Sequence, residues 1–510
     1  MKSKWLKVIF YSLVLSSALS AQKTEFETVL QVPDSDRMSN KVLNIFDLTD
    51  SYAVWNLRKT TKEELFFIDK NTGATLNSFS VEDVALEDVV GLGVLKGDLI
   101  IISLKSRQQV AFVRFNAKGE KVGAGNLGLK ASSKRFLPEA ALAYFDPSGN
   151  YLLIFAQAIT NDKTSHSSLF DANLNLIGES DETYENGKSV VNKVFEIAYT
   201  PPALIDDEGN VFSMAMDGKS LLIAQRVNSY ATIKINFKKD LISVGEFIGN
   251  IQLDRLNTDT ILVSGLILKD TEPEDYANRK PGTYKYYELL GHYNMLINSF
   301  NQELISENVY YFPLSEKQAW PKSYTAVQER YKSAVQFYDK RVFTLANSDY
   351  LTIVEHQNKA LVGGDLRDFL IVSRHGANGE ILWTKTVDKF QAVSNDIGYE
   401  SYYFFSGFSS IISGNQLKLI FNQRQDDKYS GEKHISANLI FPFDLKRADQ
   451  KILSFDLNTG ELLSQEISNY EETEPRFLKA RFSEDRYPTG PYMIMRDFDL
   501  DCDLVVKLKE

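Results

Sequence analysis

Four aspartates alternate with other residues near the C-terminal end of the chain: Asp497, Asp499, Asp501 and Asp503. In an extended backbone their carboxylates point to one side, where mutual repulsion raises their pKa values unless a cation or solvent screens them. Oxygen ligands at alternate positions suit Ca²⁺, but the sixth and twelfth positions of an EF-hand loop would be Cys502 and Leu508, which excludes that motif. We predict a solvated turn between two strands here, with a structural Ca²⁺ site as the alternative and no other cofactor.

Tyrosines crowd the second half of the chain, and we predict ligand contact for five of them: Tyr284, Tyr286, Tyr287, Tyr402 and Tyr403. A tyrosine offers a flat apolar face and a hydroxyl, which suit stacking on a sugar or anchoring a protein partner. The alternative is that these rings fill space between packed sheets.

No motif nominates a catalytic residue. The five histidines show neither the H-x₃-H spacing of a metal site nor an H-E-x-x-H helix. Ser409 lacks the second glycine of a G-x-S-x-G nucleophile elbow, and the glycines at 91 and 93 lack the third glycine of a dinucleotide fingerprint. The catalytic residues therefore stay unassigned, and the sequence favours a non-enzymatic protein.

The elements that must position these residues repeat along the chain. A hydrophobic strand runs into a short polar turn seven times, at residues 68–73, 115–120, 170–175, 235–240, 297–300, 375–380 and 455–461. Asp or Asn capping its own backbone, with Gly supplying a positive φ, explains these turns without a metal ion. A recurrence on this scale indicates a solenoid, propeller or array.

Each repeat holds about four strand signals, which predicts an all-β fold, a β-propeller of four-stranded blades. Residues 476–482, 492–495 and 504–508 add three strands after the seventh turn, and residues 25–32 could supply a fourth. Such an N-terminal strand would close the ring and remove an open edge. We predict eight blades, with seven as the alternative.

A single propeller domain is expected over residues 22–510, with three inserts near 270–285, 313–340 and 425–450. Within the second insert, hydrophobic residues at helical spacing predict an amphipathic helix over 323–338. Loops of this length are often functional, although they can also be disordered.

The N-terminus predicts export. Lys2, Lys4 and Lys7 precede an apolar run of about a dozen residues and small residues at its end, which is typical of a secretory signal peptide over 1–21; an uncleaved anchor is the alternative. We expect a periplasmic, cell-surface or extracellular protein with no membrane span after cleavage. Removing the signal takes the net charge from −11 to −14, which argues against nucleic acid as a partner.

Five segments within a span of about 165–425 carry a family resemblance: 170–176, 207–211, 381–391, 394–399 and 419–422. They resemble stretches of largely uncharacterised secreted proteins of Bacteroidota-type bacteria that are propeller-like. Asp388 stands where the family usually has a proline before the lysine. The resemblance implies export and the propeller fold, and it transfers no active site.

Two functions follow from these observations. The favoured one is an extracytoplasmic binding or scaffold propeller that presents loops to a protein or cell-surface partner. The alternative is a carbohydrate-binding or carbohydrate-active propeller, similar to a glycoside hydrolase or lyase, with carboxylates and tyrosines at a central channel.

Overall fold

The computed structural model describes residues 26–32, 41–58, 62–81, 88–106, 109–127, 136–146, 148–158, 164–183, 188–189, 203–205, 209–217, 220–226, 234–240, 246–270, 287–299, 303–318, 320, 335–360, 364–394, 407–424, 448–469, 476–478, 493–497 and 502–508. Within these ranges, 33 strands form eight sheets in which every pairing is antiparallel, and one short helix is present. The protein is therefore all-β, as the sequence predicts.

Strand β1 spans Phe26–Gln31 and the next strands form sheets in chain order. Sheet 1 contains β2 (Lys41–Asp47), β3 (Ser51–Arg58), β4 (Lys62–Asp69) and β5 (Thr75–Ser80). Sheet 2 contains β6 (Asp88–Leu95), β7 (Asp98–Ser106), β8 (Gln109–Phe115) and β9 (Lys121–Leu127). Sheet 3 contains β10 (Phe136–Phe145), β11 (Tyr151–Ala158), β12 (Thr164–Asp171) and β13 (Leu176–Thr183).

Sheet 4 has five strands, because β14 (Lys188–Ser189) and β15 (Ala203–Ile205) both pair with β16 (Val211–Asp217), which is followed by β17 (Ser220–Arg226) and β18 (Lys234–Asp240). Sheet 5 contains β19 (Glu246–Asn257), β20 (Thr260–Asp270), β21 (Tyr287–Asn298) and β22 (Leu304–Tyr311). Helix α1 (Leu314–Gln318) follows it.

Sheet 6 contains β23 (Val335–Thr344), β24 (Tyr350–Ala360), β25 (Gly364–His375) and β26 (Ile381–Ser394). Sheet 7 contains β27 (Ser409–Ser413), β28 (Gln416–Arg424), β29 (Ala448–Asp456) and β30 (Leu462–Asn469). Sheet 8 combines β31 (Arg476–Leu478), β32 (Met493–Asp497) and β33 (Cys502–Leu508) with β1 from the other end of the chain. The strand β1 pairs with β33 from Phe26 opposite Leu508 to Gln31 opposite Leu504.

The apolar runs form strands that are buried on both faces. In β7, Leu99 and Ile101 pack into the cluster shared with sheet 1, whereas Ile100 and Ile102 pack into the cluster shared with sheet 3. All four side chains are fully buried. A continuous hydrophobic run is the expected pattern for a strand between two packed layers.

Every pair of sheets that is adjacent in order shares a buried apolar cluster. Representative residues are Phe67 and Ile101 for sheets 1 and 2, Ile102 and Leu152 for 2 and 3, Leu153 and Ile205 for 3 and 4, Phe212 and Val263 for 4 and 5, Leu268 and Phe369 for 5 and 6, Leu370 and Leu419 for 6 and 7, Ile420 and Val506 for 7 and 8, and Val505 and Ile45 for 8 and 1. Burial of each such side chain contributes about 1.5–3 kcal/mol. The contacts thus pass along the whole series and return to sheet 1.

The recurring turns join the third and fourth strands of their sheets. In the first copy, Asp69 Oδ1 accepts hydrogen bonds from the backbone N–H groups of Asn71 (2.9 Å) and Thr72 (2.8 Å), and Gly73 has φ +68°. These bonds lower the pKa of Asp69. Asp456 caps its own turn in the same way. The self-capped turn is therefore confirmed at these two copies.

Two predictions about elements are wrong. Residues 235–240 are not a turn, because they lie in β18 and pair with β17 from Lys234 opposite Gln225 to Asp240 opposite Ser220. The helix predicted over 323–338 is contradicted at its C-terminal end, where Val335 to Tyr338 pair with β24; residues 321–334 lie outside the described part of the chain. A β-branched and aromatic composition at 335–338 fits the strand.

The three predicted inserts are only partly described. In the first, Asp270 ends β20 and residues 271–286 lie outside the described ranges. The second includes α1 and the beginning of β23. In the third, β28 ends at Arg424 and β29 begins at Ala448, with 425–447 outside the description.

Candidate functional site

The four aspartates predicted as a turn or calcium site are described at two positions. Asp497 ends β32 opposite Cys502, and Asp503 lies in β33 opposite Arg496, so the segment joins two strands of sheet 8 as expected. Asp499 and Asp501 lie outside the described residues. No group of three or more metal-ligating side chains is found within the described ranges, and the Ca²⁺ site stays a prediction.

Of the five predicted tyrosines, only Tyr287 falls in the described part, where it opens β21 opposite Asp270. Tyr284, Tyr286, Tyr402 and Tyr403 lie outside it. Their ligand contacts stay predictions.

The described strands that flank the three inserts meet them on the side of their sheets opposite the recurring turns, and we call that side the insert-bearing end. The segment 271–286 joins the second and third strands of sheet 5, and 425–447 joins the second and third strands of sheet 7. The second insert follows β22, the fourth strand of sheet 5. This strand begins at the recurring turn, so it ends on the side of the sheet opposite that turn. The segment 395–406 leaves the fourth strand of sheet 6 in the same way.

A layer of polar side chains lies between sheets 5 and 6, with Gln252 and Asp254 half-buried and its other members buried, and we call it the 5–6 polar layer. Sheet 5 contributes Gln252, Asp254, Ser264, His292 and Asn294; sheet 6 contributes Lys340, Tyr350, Thr352, Ser373 and His375. Gln252, Ser264 and Asn294 lie in one row across β19, β20 and β21, since each is the Cα partner of the next. Side chains alternate between the two faces of a strand, so Leu253 and Val263 lie on the other face of sheet 5, where they pack against sheet 4.

Two histidines connect the sheets within this layer. One ring nitrogen of His375 lies 3.2 Å from Asn294 Nδ2 and the other lies 2.9 Å from Thr352 Oγ1. Ser373 Oγ lies 3.3 Å from His292 Nε2. Burial lowers the pKa of His375 to about 3 and holds that of His292 well below its usual range. Both rings are therefore neutral at physiological pH and act as hydrogen-bonding groups.

The charged members of the layer are Asp254 on β19 and Lys340 on β23, the first strands of their sheets. Lys340 Nζ donates a 2.6 Å hydrogen bond to Ser264 Oγ. Burial raises the pKa of Asp254 to about 6 against the attraction of Lys340. Burial likewise lowers the pKa of Lys340 to about 7 against the attraction of Asp254. Burial thus opposes the charged form of both groups, and such perturbed pKa values are more common at functional sites than elsewhere.

The site extends towards sheet 3. Tyr144, half-buried on β10, has its pKa raised by burial and then by the charges of Asp146 and Asp254. The pKa of Tyr350 is also raised, first by burial and then by Asp254. Asp254 thus acts electrostatically on groups from sheets 3 and 6.

A second buried cluster, the 6–7 ion cluster, lies between sheets 6 and 7. Glu355 accepts hydrogen bonds from Arg367 Nη1 at 3.0 Å and from Lys389 Nζ, and Lys389 also donates to Gln391 Oε1 at 2.8 Å. Gln391 Nε2 donates to the carbonyl of Asn422 in sheet 7 at 2.6 Å. Burial would raise the pKa of Glu355, but Lys389 and Arg367 lower it to about 2.

The two buried clusters differ in what they can do chemically. In the 6–7 ion cluster, Arg367 and Lys389 are both paired with Glu355 within sheet 6, and Gln391 joins them to sheet 7 through the carbonyl of Asn422, so this cluster has a structural explanation. Asp254 and Lys340, in contrast, form no ion pair with another described side chain, and Asp254 is only half-buried. The 5–6 polar layer around Asp254 and Lys340 is therefore the candidate functional site, and sequence reasoning missed it.

In the described residues, no helix is both long and apolar enough to cross a membrane.

Comparisons with known proteins identify no family. No protein-family model and no curated protein matches the chain. Among solved structures, the WD40 domain of SCAP from fission yeast is 8% identical with a TM-score of 0.38, covering 96% of this chain and 98% of that one. The polysaccharide lyase Uly1 is 8% identical with a TM-score of 0.37, covering 84% and 90% of the two chains. An uncharacterized protein from Listeria monocytogenes is 8% identical with a TM-score of 0.36, covering 88% and 99%.

Proposed function

We propose that the eight sheets are the blades of a closed eight-bladed β-propeller. Two features of the described residues support this: apolar clusters link successive sheets from 1 to 8 and back to 1, and β1 completes sheet 8 beside β33. Seven sheets are built from consecutive strands alone, and the eighth needs both ends of the chain. A ring closed in this way leaves only short, protected edges.

We further propose that the protein acts outside the cytoplasm as a non-enzymatic binding platform for a protein or cell-surface partner. The observation that carries this is the placement of all three inserts at the insert-bearing end, opposite the recurring turns. A rigid scaffold that presents variable loops on one side is a common arrangement for binding. Export rests on the signal peptide predicted over 1–21, and mass spectrometry of the exported protein should give an N-terminus at Gln22.

The test is capture of a partner by purified residues 22–510 from solubilised cell-surface proteins, with a glycan array probed in parallel. Two variants replace 271–286 or 425–447 with a four-residue Gly-Ser linker. The matched control replaces 227–233, which joins the third and fourth strands of sheet 4 at the end of the recurring turns. We expect the two insert variants to lose a captured protein that the control retains. Equal retention by all three variants would refute binding at the insert-bearing end.

A carbohydrate-binding or carbohydrate-active propeller is the second candidate function. The observation that favours it is that the predicted stacking tyrosines all precede or open strands at the insert-bearing end: Tyr284, Tyr286 and Tyr287 before or at the start of β21, and Tyr402 and Tyr403 before β27. Exposed aromatic rings on one surface suit stacking on a glycan. Glycan-array binding that is lost in a Tyr402→Ala/Tyr403→Ala variant, without capture of any protein, would favour this function over the first.

A further inference from the structure

The outer edge of sheet 7 is apolar. On β30, the last strand of that sheet, Leu462, Leu463 and Ile467 are 51%, 51% and 49% exposed. Native proteins often protect an edge strand with charged residues or proline, which oppose pairing with another chain. The exposed side chains described on β30 include neither, since the fourth of them is Gln465. An edge of this kind favours the addition of a strand from a partner.

The same edge forms one wall of an open groove between sheets 6 and 7, which we call the 6–7 outer groove. On β30, Gln465 lies opposite Leu453, which packs into the apolar cluster shared with sheet 6, so this side of the strand faces sheet 6. Side chains alternate along a strand, so Ile467 lies on the same side. On β26, Lys385 lies opposite Val372 of the same cluster and therefore faces sheet 7. Lys385, Gln465 and Ile467 are all exposed, which shows that solvent reaches the groove.

Trp383 closes the groove at the end of the recurring turns. Its Nε1 donates a 2.8 Å hydrogen bond to the carbonyl of Leu457, and a Cβ added to Gly460 would lie 2.7 Å from the Trp383 ring. The ring therefore packs against the turn of sheet 7. Towards the insert-bearing end the groove continues to Ile467 on β30 and Lys451 on β29, which lie opposite each other. The groove thus runs along the strands, and this direction suits an extended chain.

The groove has an excess of positive charge. Lys385 and Lys451 form no ion pair with another described side chain. The acids of β26 and β30, Asp388 and Glu466, lie on the opposite faces of their strands. Asp449 lies two residues beyond Lys451, at the far end of the groove side of β29. Two accessible lysines therefore stand against one acid, in a chain whose net charge is −11. An acidic segment is attracted to this groove, whereas a second copy of the acidic protein is repelled.

We propose that the 6–7 outer groove is an interaction surface that binds an extended, acidic segment of a protein partner along the free edge of β30. Apolar side chains of the segment pack on Leu463 and Ile467, and its carboxylates pair with Lys385 and Lys451. Main-chain hydrogen bonds to β30 supply affinity, and the side chains in the groove select the sequence of the segment.

This surface lies along the outer strands of sheets 6 and 7 and is distinct from the insert-bearing end. It therefore goes beyond the proposed binding by the inserts and does not depend on it. Binding at the groove and capture of a partner by the inserts can succeed or fail separately.

The test is a fluorescence-polarisation titration of residues 22–510 against three labelled peptides. The first consists of three repeats of Ile-Thr-Asp-Thr, so that an extended chain turns alternating Ile and Asp side chains to one face. The other two peptides have Lys or Ser in place of each Asp.

The site variants are Ile467→Asp and the double variant Lys385→Glu/Lys451→Glu. The matched controls are Val122→Asp and Lys121→Glu on β9, the fourth strand of sheet 2, where both side chains are exposed. Circular dichroism and melting curves show whether each variant keeps the fold.

We expect the Asp peptide to bind the parent protein about tenfold or more tightly than the Lys peptide, and Ile467→Asp to weaken that binding by a similar factor. The double variant should reverse the preference and bind the Lys peptide more tightly, a result that loss of folding cannot produce. The two controls should bind as the parent does.

Absence of binding by the Asp peptide at about 1 mM, or equal binding of all three peptides, would overturn the proposal. An unchanged preference in the double variant would overturn it too. Binding that is lost only in the variants lacking 271–286 or 425–447 would place the peptide at the insert-bearing end and would also overturn it.

Discussion

Replacement of Leu30 by Ala should destabilise the protein through the contact between the two ends of the chain. Leu30 lies on β1, is 5% exposed, and packs into the cluster of Ile45, Val54 and Val505, which belong to sheets 1 and 8. Leu→Ala at buried sites costs about 2–5 kcal/mol, from lost transfer free energy and from the cavity that remains. A loss of about 3 kcal/mol lowers the folding equilibrium constant by about 100-fold.

Urea unfolding of residues 22–510, followed by tryptophan fluorescence, measures this loss. The matched control is Leu76→Ala on β5, where the leucine is 44% exposed and the expected cost is below about 0.5 kcal/mol. A third variant begins at residue 33 and leaves sheet 8 with β31, β32 and β33. We expect it to be less stable than Leu30→Ala. The reasoning is refuted if Leu30→Ala and Leu76→Ala unfold at the same urea concentration, or if the chain lacking β1 is as stable as its parent.

Three further predictions concern other parts of the chain. Gly291→Ala should lower the free energy of unfolding by several kcal/mol, because the new Cβ would lie 1.8 Å from the Tyr310 carbonyl oxygen. The control is Gly123→Ala, whose Cβ would meet only ordinary contacts at 3.7 Å or more, and urea unfolding compares the two variants. The pKa of Glu355 is lowered to about 2, so its ionised side chain stabilises the folded state fully above pH 4.5, and this stabilisation is lost as the pH falls towards 2. The difference in the free energy of unfolding between the parent and Glu355→Gln should therefore shrink by about 3 kcal/mol over that range. If residues 497–503 bind Ca²⁺, the ion raises the melting temperature and Asp499→Ala abolishes the rise; no rise in the parent protein rejects the site.

Much of the strand arrangement could be predicted from the sequence because its signals are local. Residues 99–104 and 110–115 are short apolar runs of the kind that predicts strands, and they pair with Leu99 opposite Phe115 and Leu104 opposite Val110. The turns at 69–73 and 456–461 were predictable because one Asp side chain and one positive-φ Gly determine each of them. The turn predicted at 235–240 was wrong because Asn236 and the two lysines lie on strand β18. Their polar composition resembles that of the recurring turns.

The 5–6 polar layer could not be predicted from the sequence. On β19, Gln252 and Asp254 alternate with Leu253, and on β21, His292 and Asn294 alternate with Tyr293. Such alternation usually indicates a strand with one solvent-facing side. Only the packing of sheet 6 on that side shows that these polar residues are buried. Polar alternation on two sheets that pack face to face would indicate a buried polar layer. However, the local sequence of a strand does not show which sheet packs against it.

The buried polar residues and the inserts occur in the same part of the chain, and strand length connects them. The strands β20, β21, β24, β25 and β26 have 11 to 14 residues, whereas β3, β4, β11 and β12 have 8. The longer strands contribute residues to the apolar clusters that join the sheets, and they also extend beyond those clusters. Between sheets 6 and 7, these additional buried positions are occupied by Glu355, Arg367 and Lys389. Charged groups at such positions cost desolvation energy, and hydrophobic residues of similar size would often stabilise the fold equally well or better. The departure from the repeat in sheets 5 and 6 is thus unfavourable for folding alone, which is expected if the proposed ligand or partner binding maintains it.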